Sequence, residues 1–155
     1  FFSIGLLKPS FTYETRTMIH QPVDTVFADF TNSMKILKWI PGLEGIAWIS
    51  GNQNEPGSRW MFVMKINGKK YEMTQTLKTF KVNQEFSFNT QCNMFSNDVT
   101  VAFVPQGQNT EVVSTSRMTG LNLFWRAGLF LNQSFLKEQD QKMYDQFKGM
   151  VESDH

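Results

Sequence analysis

The spacing of apolar residues changes once along this chain, at Gly120, and the change limits the folds available to it. Before Gly120, from residue 43 onward, short apolar runs alternate with turn dipeptides such as Asn67-Gly68, which is typical of antiparallel strands. After Gly120, apolar residues recur at helical spacing and no proline occurs in residues 121–152, which predicts one long amphipathic helix. That helix is the only predicted element long enough to cover the buried face of the sheet.

The first part of the chain predicts one further strand and two short helices. Residues 11–19 alternate and are rich in Thr and aromatic side chains, as in a strand. Pro22 stands where a helix begins, and a second short helix covers residues 34–40. The expected fold is therefore α+β, a curved antiparallel sheet of about seven strands wrapped around a long C-terminal helix, in a single domain over residues 11–152.

Residues 1–10 precede this domain, and two interpretations of them stay open. The sequence begins Phe-Phe-Ser-Ile-Gly-Leu-Leu, and so short a run cannot span a bilayer, which takes about 20 residues. It is either an N-terminal arm that packs on the domain or the end of a longer apolar membrane anchor that lies before Phe1. The localisation depends on the same choice, cytoplasmic or membrane-anchored with the domain in a soluble compartment.

Asn67-Gly68 is the strongest hairpin signal in the chain, because this dipeptide suits a two-residue type I′ turn. The register is decisive, since a slip of one residue would exchange the two faces of both strands. Charged side chains alternate along one face and mark it as the outer face. The turn predicts these pairs on the opposite, inner face: Ile66 with Lys69, Met64 with Tyr71, Phe62 with Met73, and Trp60 with Gln75.

A second hairpin is predicted around residues 106–109. Pairing Pro105 with Thr110 sets Asp98 opposite Arg117 on the outer face, as a cross-strand ion pair. The same register gives these inner pairs: Phe103 with Val112, Val101 with Ser114, and Val99 with Ser116.

Together, the inner faces of the strands and the long helix predict the wall of an apolar cavity with a few hydroxyl and amide groups, the usual composition of a small-molecule pocket. The alternative is a plain core, in which Gln75 is a buried amide bonded to the backbone and Tyr71 lies at the rim. The predicted ligand-binding wall residues are Trp60, Phe62, Met64, Tyr71, Met73, Gln75, Phe86, Phe88, Thr90, Val101, Ser114, Ser116, Met118, Trp125, Leu129 and Asn132.

Composition excludes several classes of protein. The chain has 155 residues, a net charge of +1, 15 Phe, 9 Met and 4 Trp. The low charge argues against nucleic acid as a partner, because a basic patch supplies most of that affinity. A single cysteine, Cys92, and two histidines argue against a disulfide framework and a metal centre. We therefore expect no cofactor and no metal.

Four segments resemble the START-related SRPBCC superfamily, whose fold is called helix-grip, and within it the polyketide cyclase/dehydrase-like branch. They are His-Gln-Pro-Val-Asp-Thr-Val-Phe at residues 20–27, Trp-Ile-Pro-Gly at 39–42, Glu-Pro-Gly-Ser at 55–58 and Phe-Trp-Arg at 124–126. These motifs are structural and say little about chemistry. The resemblance implies a deep apolar cavity between the sheet and the C-terminal helix that holds lipid-like, sterol-like or polyketide-like molecules. Some relatives also carry an apolar anchor before the domain.

Three functions follow from this sequence. The first is binding or carriage of a hydrophobic small molecule, without catalysis, in which Gln75, Tyr71 and the serines orient a polar end of the ligand. The second is a cyclase or dehydratase acting on an aromatic or polyketide-like substrate. That reaction needs a proton shuttle, and the predicted inner faces contain no acid and no base, so the sequence favours a binder over an enzyme and assigns no catalytic residue. The third is a protein-interaction module, which requires an exposed apolar patch.

Overall fold

The computed structural model describes residues 10–155. The first strand, β1 (Ser10–Ile19), is followed by two short helices, α1 (Val23–Phe30) and α2 (Ile36–Trp39). Six strands follow: β2 (Leu43–Ser50), β3 (Arg59–Ile66), β4 (Lys69–Lys81), β5 (Glu85–Gln91), β6 (Phe95–Gln106) and β7 (Asn109–Gly120). The chain ends with α3 (Leu123–Leu131) and α4 (Gln133–Asp154).

All seven strands form one antiparallel sheet in the order β1-β7-β6-β5-β4-β3-β2. The sheet curves around α4, so the predicted α+β fold is confirmed. The N-terminal strand closes the order by pairing with β7, which places the first and last strands side by side. The predicted arm or anchor at residues 1–10 lies outside the described residues, apart from Ser10 in β1.

Both hairpins have the predicted register. Asn67 and Gly68 form a two-residue turn with φ angles of 51° and 81°, the left-handed values that a type I′ turn requires. Every predicted pair between β3 and β4 and between β6 and β7 is present. The predicted ion pair is different, however. Asp98 does lie opposite Arg117, but its carboxylate pairs with Lys78 at 2.7 Å.

The predicted C-terminal helix is divided into α3 and α4 at Asn132. The Asn132 side chain donates a hydrogen bond to the Gly128 carbonyl at 2.7 Å. Asparagine side chains compete in this way with the helix backbone, and the Asn132 backbone leaves the helical region, with φ −104° and ψ 15°. The periodicity of apolar residues continues through this position, so the pattern alone did not show the break.

The hydrophobic core lies where α1, α2 and the second half of α4 meet β6 and β7. Phe147 of α4 is fully buried there, with its ring 4.9 Å from that of Trp39 and 5.6 Å from that of Phe30. This packing fixes one end of α4 against the sheet. None of the helices in residues 10–155 combines the length and the apolar character that a membrane crossing requires.

Candidate functional site

A cavity of about 440 Å³ lies between the sheet and the helices, beside the core. It falls within the range of about 300–1,000 Å³ that is usual for small-molecule sites. Strands β3, β4 and β5 supply the inner side chains of one wall, and α2 and α4 supply the other. Its apolar lining includes Trp39, Trp60, Phe62, Met73, Phe86, Phe88, Leu136 and Met143.

The edge strand β2 forms one rim of the cavity. Trp48 lines the cavity but is half exposed, and its ring stacks on that of Trp60 at 6.2 Å. The Trp48 indole N–H donates to the Gly51 carbonyl at 3.0 Å, which fixes the ring at the rim. Tryptophan suits such a place because it combines a large apolar face with one polar group.

A row of neutral polar side chains crosses the cavity wall on three neighbouring strands. Gln75 of β4 pairs with Thr90 of β5, which pairs with Asn97 of β6. All three line the cavity, and Gln75 and Thr90 are buried. Because directly paired residues on one face of a sheet are close neighbours, these groups form one polar strip within an apolar wall.

Three cavity-lining residues carry a buried polar atom that has no hydrogen-bond partner within residues 10–155. They are Nε1 of Trp39, Oγ of Ser58 and Oδ1 of Asn97. Trp39 is 3% exposed and Ser58 is 1% exposed. Buried polar groups are nearly always paired, because an unpaired one costs about 1–3 kcal/mol. These atoms are therefore available to a molecule that enters the cavity.

Asp140 of α4 is a carboxyl group on the cavity wall. Burial raises the pKa of Asp140 to about 6, and side-chain hydrogen bonds with Tyr13 and Ser116 limit this rise. Burial, followed by the charge of Asp140, raises the pKa of Tyr13 well above its usual range. The pKa of Tyr144, which also lines the cavity and donates to Ser114 Oγ at 2.9 Å, rises for the same reasons. Both phenols are therefore neutral in the folded protein near neutral pH.

Asp140 gives the cavity wall a negative charge when it is ionised. Among residues 10–155, Asp140 is the one ionisable carboxyl on its wall, and no lysine, arginine or histidine lines it. No group of His, Cys, Asp or Glu side chains in this part of the chain is arranged to hold a metal ion. The site offers an acid next to phenols, a neutral polar strip and large aromatic surfaces.

The comparison with known families agrees with this geometry. The family model described as Activator of Hsp90 ATPase homolog 1-like protein matches residues 20–152. The chain belongs to this family. Membership confirms the resemblance to the SRPBCC superfamily and its polyketide cyclase-like branch. No curated protein matches the sequence significantly.

Solved structures share the fold of this family member at low sequence identity. The aromatase/cyclase Zhui from a Streptomyces species has a TM-score of 0.77 and 10% identity, covering 92% of this chain and 94% of its own. The protein TTHA0849 from Thermus thermophilus has a TM-score of 0.75 and 16% identity over 92% and 97% of the two chains. Ara h 8.0201 has a TM-score of 0.74 and 13% identity, covering 93% and 99%. At this identity the likeness shows the fold alone.

Nine of the sixteen predicted wall residues of this family member line the cavity. They share the inner face of β3 to β7 and were placed there by hairpin register and strand alternation. They are Trp60, Phe62, Met64, Met73, Gln75, Phe86, Phe88, Thr90 and Met118. Their role in binding a ligand stays a prediction.

The other four strand residues in that prediction do not line the cavity. Val101 is fully buried in the core beside it. Ser114 and Ser116 are buried and bonded to Tyr144 and Asp140 respectively, which lie on the cavity wall themselves. Tyr71 lies closer to the turn of its hairpin than Met73, beyond the lining of the cavity.

The three helical residues in the prediction belong to α3 or to the break after it. Trp125, Leu129 and Asn132 do not line the cavity. The reason is the division at Asn132, since α3 packs against β7 and β1 whereas α4 faces the cavity. A continuous helix, as the pattern predicted, would have kept these residues on the same side as Leu136.

The expectation that the interior holds no acid is wrong, because Asp140 lies on the cavity wall. Charges alternate along residues 137–154, a pattern that favours a solvated helix face. The helical repeat, in contrast, indicates that Asp140 shares a face with residues that point inward. Leu136, Asp140 and Tyr144 are spaced at i, i+4 and i+8, and residues at this spacing share a face of a helix.

Proposed function

We propose that this chain binds a mainly apolar small molecule in the cavity between the sheet and α4. The observation that carries the proposal is the cavity itself, about 440 Å³ in volume, with large apolar walls and few polar groups. Dry protein interiors are close-packed, so a space of this size is costly to keep empty in a folded domain. A ligand that fills it gains about 25 cal/mol for each Å² of apolar surface removed from water.

The polar groups of the wall would orient this ligand. The strip formed by Gln75, Thr90 and Asn97 lies on the sheet, and Asp140 lies on α4 opposite it. A molecule with polar groups at one position could contact either side while its apolar body packs on Trp60 and Phe88. A few placed polar groups in an apolar cavity are the usual means of fixing a ligand.

Fluorescence titration with phenylnaphthylamine, a neutral probe that brightens in apolar surroundings, tests this function. We expect saturable binding to the native chain and at least a tenfold loss of affinity, about 1.4 kcal/mol, in Met73→Trp, which adds an indole to the wall. Glu72→Trp is the matched control, because Glu72 is the preceding residue on β4 and is exposed.

The two variants separate cavity binding from surface binding. Equal affinity in the native chain, Met73→Trp and Glu72→Trp would place the probe outside the cavity. Absence of saturable binding to the native chain would refute the proposal.

A second candidate function is proton-transfer catalysis of the cyclase or dehydratase type, and the Asp140–Tyr13 pair is the observation that favours it. A half-buried carboxyl with a pKa of about 6 can accept or donate a proton near neutral pH, which is the requirement for a general acid or base. We propose Asp140 as the proton-transferring group and Tyr13 as the phenol that stabilises a developing oxyanion.

Deuterium exchange into β-tetralone, an aromatic ketone with acidic α-hydrogens, tests this second function. A catalyst in the cavity would accelerate the exchange in D₂O, followed by NMR. Asp140→Asn would reduce the acceleration by about 10²-fold or more, as is typical for loss of a general base. Asp145→Asn, a change of an exposed aspartate on the same helix, would leave it unchanged. Exchange at the uncatalysed rate with the native chain would rule this activity out for such ketones.

A further inference from the structure

Within residues 10–155, the cavity contains a negative group without a positive partner. Asp140 lies on its wall, and the groups that hydrogen-bond to the carboxyl are the hydroxyls of Tyr13 and Ser116. These hydroxyls are neutral donors. Among residues 10–155, no lysine, arginine or histidine lines the cavity. An ionised Asp140 therefore has hydrogen bonds but no opposite charge beside it from these residues.

A second acceptor lies on the facing wall. Oδ1 of Asn97 is buried and has no donor in the described part of the chain. Asn97 pairs with Met118 on β7, and Ser116, the partner of Asp140, is the next inner residue on that strand. Side chains at neighbouring inner positions of a sheet are within reach of one another. The cavity thus combines a carboxylate and an amide oxygen, two groups that accept hydrogen bonds.

Aromatic rings surround the same region. Tyr13 contacts Asp140, and Tyr144 lies one helical turn after Asp140 with its ring 6.3 Å from that of Trp39. The faces of such rings attract cations, by about 0.5–2 kcal/mol where water is excluded.

We infer that the cavity selects apolar molecules that carry a protonated amine and rejects those that carry a carboxylate. The inference rests on the proposed binding function and names the chemical class of its ligand. An ammonium group supplies the positive charge that Asp140 lacks, and its N–H groups are donors only, as the two acceptors require. A carboxylate ligand would find no cation and would be repelled by Asp140.

Among residues 10–155, Asp140 is the one group of the cavity wall whose charge changes near neutral pH. Tyr13 from β1 and Tyr144 from α4 are neutral there, because burial raises both pKa values. The charged residues of β1, Glu14 and Arg16, pair with each other at 2.7 Å, and Arg16 is exposed. Arg117 of β7 is exposed as well.

Three probes of one shape test the inference: naphthylethylamine, naphthylethanol and naphthylacetic acid, each displacing phenylnaphthylamine at about pH 7.5. We expect the amine to bind at least tenfold more tightly than the alcohol, about 1.4 kcal/mol, and the acid to bind most weakly. In Asp140→Asn the amine and the alcohol should bind within about twofold of each other. Asp145→Asn, a change of an exposed aspartate on α4, gives the same net charge as the first variant and should retain the preference.

A pH series on the native chain tests the same preference for the amine without a substitution. The preference for the amine should fall towards one as the pH drops from about 7.5 to about 5, because Asp140 loses its charge while the amine stays protonated. Equal binding of amine and alcohol to the native chain, or an unchanged preference in Asp140→Asn, overturns the inference but leaves apolar binding standing. If phenylnaphthylamine itself does not bind, the proposed function and the inference both fail.

Discussion

Asp140 occupies a position on α4 where the helical repeat of inward-facing residues would otherwise place an apolar side chain. Its neighbours on that face, Leu136 and Tyr144, line the same cavity. A carboxyl group there is costly when ionised, since burial disfavours the charged form. A residue whose charged form destabilises its own fold is typical of a functional site. Replacing Asp140 by a neutral residue should therefore raise the free energy of unfolding.

Asp140→Asn should stabilise the protein at neutral pH. The pKa of Asp140 is raised in the folded state, to about 6 from 3.8. The stability it contributes is therefore fully present below about pH 4 and is lost as the pH rises through about 6. At pH 7 the ionised group costs up to about 3 kcal/mol. The variant should exceed the native chain by up to this amount at pH 7 and by much less at pH 4.

Urea unfolding of both chains between about pH 4 and pH 8 measures this difference. Asp145→Asn is the control, and its difference from the native chain should stay nearly constant across the series. A loss of stability in Asp140→Asn that is the same at every pH would show that the carboxyl acts through its hydrogen bonds with Tyr13 and Ser116 rather than through its charge.

The residues of the site differ in whether nearby sequence is enough to predict their positions. Trp60, Met73 and Gln75 could be placed because one turn dipeptide fixes the register of β3 and β4. Asp140 and Tyr13 could not be brought together from the sequence. They lie 127 positions apart, as their numbers show, and they meet because β1 closes the sheet beside β7, next to α4.

The strands and helices also differ in whether sequence patterns are enough to predict them. Strands and hairpins depend on alternation and turns, and the sequence predicted about seven strands, in agreement with the seven observed. The division of the C-terminal helix lies at Asn132, whose side chain bonds to the Gly128 carbonyl. Apolar periodicity does not register such a bond. Because the break was not predicted, three residues of α3 and the break were wrongly assigned to the cavity wall.

The start of α3 gives a prediction at the scale of the element. The Asn122 side chain accepts a hydrogen bond from the Trp125 backbone N–H at 2.9 Å and caps the helix. Asn122→Ala should lower the free energy of unfolding by about 1 kcal/mol, because the N–H loses its partner. Asn122→Ser retains a capping oxygen and should change the stability by only a few tenths of a kcal/mol.

Urea midpoints of the two Asn122 variants, compared at constant m-value, measure this effect. Equal stability of Asn122→Ala and the native chain would mean that α3 is held by its packing on β7 and β1 alone.

At the scale of the whole molecule, the interior separates into a packed core and a cavity, which adjoin at Phe30, Trp39, Val99 and Tyr144. The core around Phe147 is closely packed and joins α1, α2 and α4 to the sheet. The cavity lies beside it, between α4 and the inner faces of β3 to β5. If the proposed binding function holds, substitutions at the far wall of the cavity, on β3 and β4, should change the ligand without loss of the fold.

Two truncations to alanine test this separation. Phe147→Ala removes a fully buried ring from the core and should cost about 3–5 kcal/mol. Met73→Ala removes a side chain that already borders empty space, so its atoms lose fewer contacts and the cost should stay below about 1.5 kcal/mol. Met73→Ala should also admit larger apolar probes, because it widens the cavity. If Met73→Ala costs as much as Phe147→Ala in urea unfolding, the cavity is closed by packing in solution and α4 lies against β4 throughout.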